Sequence, residues 1–115
     1  MTAKVKGLGH VGIYVHDLEL MKEFYGDFMG MTLTKVGPAG AFFSADPENS
    51  DHEIALVNGR QSLDDPHLIN QISMRVSSLD DLRDFKHRID SRGYQLERIV
   101  THASAIGCYF KDPEG

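Results

Sequence analysis

The sequence has little of what marks disulfide-linked, membrane-spanning or nucleic-acid-binding proteins. Its single cysteine, Cys108, excludes a disulfide within the chain and fits a reducing compartment, so we expect a cytoplasmic protein. No apolar run approaches the roughly 20 residues of a membrane-spanning helix, and residues 1–6 lack a hydrophobic signal segment. The net charge is −5, and acidic and basic side chains are interspersed, so the sequence has no stripe of basic residues of the kind that binds nucleic acid. We therefore expect neither a membrane nor a nucleic acid as partner.

The residues that are present predict one domain built around a strand and a helix near the start of the chain. A length of 115 residues with 41% hydrophobic content suffices for a single core over residues 1–115. Residues 9–16 alternate with the period of a strand, which gives one face Val11, Ile13 and Val15 and the other His10, Gly12 and Tyr14. Asp17 is placed to cap the following helix, and Gly30 is placed to end it.

The strand and helix occur twice. A shift of 61 residues superimposes the first copy on a second, in which Gln71 takes the position of His10. The second copy predicts a strand over residues 68–76 and a helix that Ser77 or Ser78 caps and Gly93 ends. The apolar positions at helical spacing predict a buried stripe of Leu79, Leu82, Phe85 and Ile89.

Short alternating segments complete two βαβββ modules. They predict further strands at residues 31–36, 41–45, 52–57, 94–100 and 106–111. The first module covers residues 7–57 and the second residues 67–115. The second module is incomplete, because residues 112–115 repeat the turn that begins at Asp46 and the printed sequence then stops. We expect a longer chain, with a last strand that is missing here.

Two such modules predict an α+β fold in which a curved, open sheet encloses a cup and the helices lie outside. The apolar faces of the two repeated strands would pack under the helices. His10 and Gln71 would then look into the cup, and Glu53 would approach from a neighbouring strand. Residues that are distant in the sequence would in this way meet around one metal ion.

Several segments resemble the vicinal oxygen chelate superfamily, which includes glyoxalase I, the bleomycin- and fosfomycin-resistance proteins and the extradiol ring-cleaving dioxygenases. The markers are residues 9–13, 52–56, 76–85 and 109–115. The sharpest is the C-terminal stretch, in which His102 precedes Tyr109 by seven residues and a Pro-x-Gly turn follows. This stretch is similar to the extradiol dioxygenase signature, whose metal-binding glutamate would lie beyond residue 115.

The resemblance implies an Fe(II)-dependent extradiol dioxygenase that opens the ring of catechol-like diols with O2, in the degradation of aromatic compounds. His10 would be the first metal ligand, and Gln71 and Glu53 are the other candidate ligands. His52, His102 and Tyr109 would be the catalytic residues. By the same resemblance we expect a homodimer.

Gln71 departs from the family pattern, which has a metal-binding histidine at that position. A glutamine oxygen is a harder and weaker ligand than imidazole. Two other functions therefore stay open: a glyoxalase- or epimerase-like enzyme with another divalent metal such as Mn, Ni or Zn, and a metal-free small-molecule binding or resistance protein. The single residues also keep structural alternatives, since His10 can be a buried strand histidine and Glu53 a lining carboxylate.

Overall fold

The computed structural model describes residues 3–67, 69, 71–101 and 106–115. They fall into a first unit that ends at Leu63 and a second that begins at Asp64. The described residues form six strands, two α-helices and one π-helical segment, so the predicted α+β class is confirmed. Within these ranges neither helix has both the length and the apolar character needed to cross a bilayer.

The first unit is a complete βαβββ module. Its strands are β1 (Val11–Val15), β2 (Thr32–Val36), β3 (Gly40–Ser44) and β4 (Ile54–Asn58), arranged in the order β1-β4-β3-β2. β1 runs parallel to β4, whereas β3 is antiparallel to both β4 and β2. Helix α1 (Leu18–Glu23) and a π-helical segment (Phe24–Phe28) connect β1 to β2.

Local signals mark the start of α1 and the end of the π-helical segment that follows it. The Asp17 carboxylate accepts a hydrogen bond from the Leu20 amide at 3.1 Å and so satisfies one free donor of the first turn. Gly30, with φ of +79°, reverses the chain after the π-helical segment. A left-handed backbone of this kind favours glycine, because a side chain there would be strained.

The core of the first unit lies between one face of the sheet and the helical segment. In the ladder Val11 pairs with Ile54 and Ile13 with Leu56, so the predicted apolar face of β1 continues across β4. The buried side chains are Val15, Met21, Phe24, Tyr25, Phe28, Met31, Ala41, Phe43, Ile54 and Leu56. This core holds the sheet rigidly enough to present side chains on its other face.

The second unit contains α2 (Leu79–Arg92) and an antiparallel pair, β5 (Leu96–Thr101) and β6 (Ile106–Phe110). Ser78 caps α2, since its hydroxyl accepts a hydrogen bond from the Asp81 amide at 3.1 Å. Gly93 ends the helix with φ of 73°. Of the two predicted caps the structure selects Ser78, and the predicted end at Gly93 is confirmed.

The predicted strand at residues 68–76 is wrong for the residues that the structure describes there. Residues 69 and 71–76 have no strand geometry, and Ile72 and Met74 are 36% and 39% exposed. The physical reason is that these residues have no ladder partner among the described residues, whereas in the first unit β1 pairs with β4. An alternating pattern without a partner leaves its backbone groups to water.

The predicted buried stripe of α2 holds only at one position. Ile89 is fully buried, whereas Leu79, in the first turn, is 47% exposed. Phe85 is half-buried, and the guanidinium carbon of Arg88 lies 4.5 Å from the centre of its ring. The stripe was predicted to pack on the strand at residues 68–76, and without that strand it lacks its expected cover within this unit.

Candidate functional site

The sheet of the first unit has a second face, opposite the core. We call it the histidine face and define it by Gly12, Tyr14, Phe42, Ala55 and Val57, which the strand registers place on the same side. Small residues occupy its middle, where Gly12 pairs with Ala55. The Tyr14 side chain is 70% exposed. Gly12 is also exposed, whereas Ala55 is buried.

Two of the residues predicted for the site meet at one end of this face. The ring centres of His10 and His52 are 4.3 Å apart, and the two rings are tilted by 49°. The His52 ring also packs edge-on against Phe42, with 4.9 Å between the ring centres. The first unit alone thus brings together the predicted first metal ligand and a predicted catalytic histidine.

His52 reaches this position from a loop rather than from a strand. The predicted strand over residues 52–57 instead begins at Ile54, so His52 precedes the regular alternation of β4. Its ring therefore contacts Phe42 on the histidine face, whereas Ile54 and Leu56 are buried in the core. The prediction that these three side chains share one strand face is wrong.

Several hydrogen bonds shape the loop of residues 45–53 that carries His52. The Ser44 hydroxyl donates to the Ser50 carbonyl at 2.8 Å, and the Ala45 amide donates to Glu53 Oε2 at 2.8 Å. The Asn49 amide nitrogen donates to an Asp46 carboxylate oxygen, also at 2.8 Å. Ser44 is fully buried, so this anchor is shielded from water. The loop holds His52 in place before any ligand binds.

Asp51 fixes the chemical form of the His52 ring. His52 Nδ1 lies 2.7 Å from Asp51 Oδ2, and the His52 side chain is only 18% exposed. An ionised carboxylate can only accept, so in the neutral ring Nδ1 carries the hydrogen and Nε2 keeps a lone pair. That nitrogen can take a proton or bind a cation. Asp51 is not among the residues predicted from the sequence, although its place directly before His52 was a usable signal.

Glu53, a predicted metal ligand, has a structural task in this arrangement. Its backbone carbonyl accepts from the Val11 amide at 2.9 Å, directly after His10. Its carboxylate oxygen Oε2 accepts a hydrogen bond from the Ala45 amide. To bind a cation through both oxygens, the carboxylate would have to release the loop.

The remaining predicted site residues belong to the second unit. Gln71 is exposed, and its amide nitrogen donates to the Ser73 hydroxyl at 3.0 Å, which leaves the amide oxygen as the atom suited to a cation. Tyr109 pairs with Arg98 across β5 and β6, and the guanidinium carbon lies 4.6 Å from the centre of the phenol ring. His102 lies outside the described residues.

The donor chemistry at His10 fits a divalent cation in part. Among residues 3–67, 69, 71–101 and 106–115, no three His, Cys, Asp or Glu side chains form a metal-binding cluster. The fit therefore rests on two imidazoles at one place, His10 and His52. Imidazole suits Fe, Ni and Zn, and such sites keep open positions for a substrate.

Comparison with known sequences gives one family match. The model of the Glyoxalase/Bleomycin resistance protein/Dioxygenase superfamily matches residues 7–115. A comparison with curated proteins gives no significant match.

Solved structures of similar shape come from several bacterial sources. An integron cassette protein from the mobile metagenome of the Halifax Harbour sewage outfall is 23% identical with a TM-score of 0.76, over 96% of this chain and 93% of that one. The fosfomycin resistance protein FosX from Listeria monocytogenes is 19% identical with a TM-score of 0.74, over 96% and 88%. A lactoylglutathione lyase from Agrobacterium tumefaciens is 17% identical with a TM-score of 0.69, over 98% and 90%. At these identities the likeness shows the fold.

Proposed function

Because the chain belongs to the Glyoxalase/Bleomycin resistance protein/Dioxygenase superfamily, also called the vicinal oxygen chelate superfamily, we propose that it is a metal-dependent enzyme. The proposed reaction is extradiol cleavage, in which O2 opens the ring of a catechol-like diol. One observation carries the proposal: the contact of His10 and His52 at the end of the histidine face. This contact places the His10 imidazole, which can bind a metal ion, beside the His52 imidazole, which can act as a base.

The proposed role of each residue follows from the positions of the two imidazoles. His10 would hold Fe(II), with Gln71 assigned as a further ligand by the family resemblance. When bound, Fe(II) acts as a Lewis acid that lowers the pKa of the diol hydroxyls, and it also supplies the redox chemistry with O2. Glu53 would support the site by anchoring the loop through Ala45.

His52 is the proposed general base. With the Nδ1 hydrogen directed to Asp51, the free lone pair on Nε2 can accept the proton of a diol hydroxyl. The Asp51 carboxylate, 2.7 Å from Nδ1, keeps the ring oriented during this transfer. His102 and Tyr109 keep the role that the resemblance implies, which is to hydrogen-bond the deprotonated diol.

Oxygen uptake tests this function directly. Protein loaded anaerobically with Fe(II), including whatever follows residue 115, is mixed with catechol, its 3- and 4-substituted forms and 2,3-dihydroxybiphenyl. We expect oxygen consumption with a yellow ring-opened product. His52→Gln should lower kcat by about 10²- to 10⁴-fold, the usual contribution of a general base. His87→Gln, on the exposed face of α2, is the matched control and should not change kcat. No uptake by the native protein with any of these diols contradicts the proposal.

A second candidate is proton transfer at a divalent metal without oxygen chemistry. The glutamine at position 71 favours it, because an amide oxygen is a hard ligand that does not require iron. In this case Ni(II), Zn(II) or Mn(II) protein should exchange a carbon-bound substrate hydrogen with D2O and consume no O2. Binding of a diol in a one-to-one ratio with neither reaction would instead favour a metal-free binding or resistance protein.

We further propose a cytoplasmic homodimer. The single cysteine is compatible with a reducing compartment. β2 lies at the edge of the first-unit sheet, where Leu33 and Val36 are 43% and 54% exposed. An exposed strand edge with apolar side chains is suited to pairing with another copy. Sedimentation velocity should give a dimer.

A further inference from the structure

We propose that His52 is a second protein ligand of the cation that His10 holds in the substrate-free protein. The first unit would then carry a two-imidazole metal site of its own. This inference rests on the metal dependence proposed above, but it does not require the extradiol reaction. His52 would then bind the cation in the substrate-free protein and act as a base only after substrate has bound.

The separation of the two rings suits one shared cation. Metal–nitrogen bonds of about 2.0–2.1 Å, with two imidazoles in neighbouring positions of a tetrahedral or octahedral site, place the ring centres roughly 4.5 to 5.3 Å apart. The observed 4.3 Å lies just below this range, and the 49° tilt shows that the two rings are not stacked face to face.

Asp51 supplies the support that a metal-binding histidine usually has. Histidine ligands commonly donate their other ring hydrogen to a carboxylate, which sets the ring orientation and strengthens the ligand. His52 has such a partner, with 2.7 Å between Nδ1 and Asp51 Oδ2. The remaining nitrogen, Nε2, is the one available to the cation.

The two imidazoles lie within one unit, so they can bind a cation without a group from elsewhere in the chain. Among the described residues, His52 is the imidazole whose ring contacts His10. Imidazole suits Cu, Ni, Fe and Zn, and a second nitrogen ligand would raise the affinity beyond that of His10 alone.

The two roles of His52 use the same atom and therefore alternate. While Nε2 held the cation, it could not accept a proton. A diol bound to the cation in place of His52 would leave Nε2 free to accept the proton of the diol hydroxyl. The general base would thus become available only when substrate is bound.

Cu(II) binding tests the inference, with the full protein at neutral pH and with electron paramagnetic resonance and calorimetry as readouts. Native protein should show nitrogen hyperfine coupling from two imidazoles. His52→Phe keeps an aromatic ring against Phe42 but removes both nitrogens. This variant should show one nitrogen coupling fewer, and it should bind Cu(II) at least about tenfold more weakly. His10→Gln should lose the other coupling. Asp51→Asn should weaken binding by about 10- to 100-fold, and His87→Gln is the matched control.

A circular dichroism melt of each variant separates loss of a ligand from loss of the fold. If folded His52→Phe binds Cu(II) with native affinity and two nitrogen couplings, His52 is not a ligand and the inference is wrong. Under argon, excess 4-nitrocatechol should remove one nitrogen coupling from the native protein. Retention of both couplings with 4-nitrocatechol bound overturns the proposed release. These results do not depend on oxygen uptake, so a failed extradiol assay leaves them interpretable.

Discussion

The two units begin with the same strand–helix pattern and differ in what the first strand can pair with. In the first unit β1 forms a five-residue parallel ladder with β4, and the core beneath it is buried. In the second unit the described residues among 69–76 form no ladder, and Leu79 in the following helix is 47% exposed. An alternating sequence therefore becomes a strand only where a partner supplies its hydrogen bonds. The histidine pair lies in the unit where that condition is met.

The largest expected difference between the units is the cost of truncating a leucine. Leu56→Ala removes a fully buried side chain from β4 and should lower the free energy of unfolding by about 2–5 kcal/mol. Leu79→Ala, at a 47% exposed position, should cost less than about 1 kcal/mol. Urea denaturation measures both. Equal costs would mean that Leu79 is covered in solution, and the contrast between the units would be lost.

Hydrogen exchange tests the same contrast on the backbone. The β1 amides of the ladder should exchange only on substantial unfolding of the first unit, whereas amides of residues 71–76 should exchange at least about a hundredfold faster. Mass spectrometry with peptide resolution separates the two segments. Similar slow exchange in both would show that residues 71–76 have a ladder partner in solution.

The helix caps offer a smaller test within the second unit. Ser78→Ala removes the hydroxyl that accepts the Asp81 amide and should cost about 1 kcal/mol. Ser77→Ala changes the neighbouring hydroxyl, which does not cap α2, and should be close to neutral. Thermal unfolding compares the two variants. A larger cost for Ser77→Ala would contradict the observed cap.

The smallest expected effect concerns Cys108 in β6. Burial raises the pKa of this thiol above its usual value of 9.0, with Lys86 opposing and Asp90 adding to the shift. The thiol therefore has a higher pKa in the folded protein than in the unfolded chain. The stability that the protonated thiol contributes to the fold is fully present below pH 9.0, and it is lost as the pH rises through the pKa of the folded protein. Iodoacetamide should alkylate Cys108 more slowly than a cysteine peptide at pH 8.5. An equal rate would contradict the raised pKa.

Local signals in the sequence predicted the helix ends well. Asp17, Gly30, Ser78 and Gly93 each act within a few residues of their own position, through a side-chain cap or a left-handed backbone. Such signals need no knowledge of the rest of the fold. The βαβββ order of the first unit followed for the same reason, since its strands and turns alternate clearly in the sequence.

The parts that the sequence did not predict depend on distant contacts. Strand formation at residues 71–76 depends on a ladder partner, which the alternation of the segment itself does not encode. The position of His52 depends on the bond from the buried Ser44 to Ser50 and on the ring of Phe42, which no alternation pattern encodes. His10 and His52 were each predicted as site residues, but their direct contact followed only from the structure.

An anomalous scattering map of Zn(II)-soaked crystals would test most directly that the site is built on the histidine pair. A single strong peak is expected within about 2.0–2.1 Å of a nitrogen of His10 and of His52. A peak bound elsewhere, or none near these two rings at a Zn(II) concentration that saturates binding in solution, would contradict a site built on the two histidines.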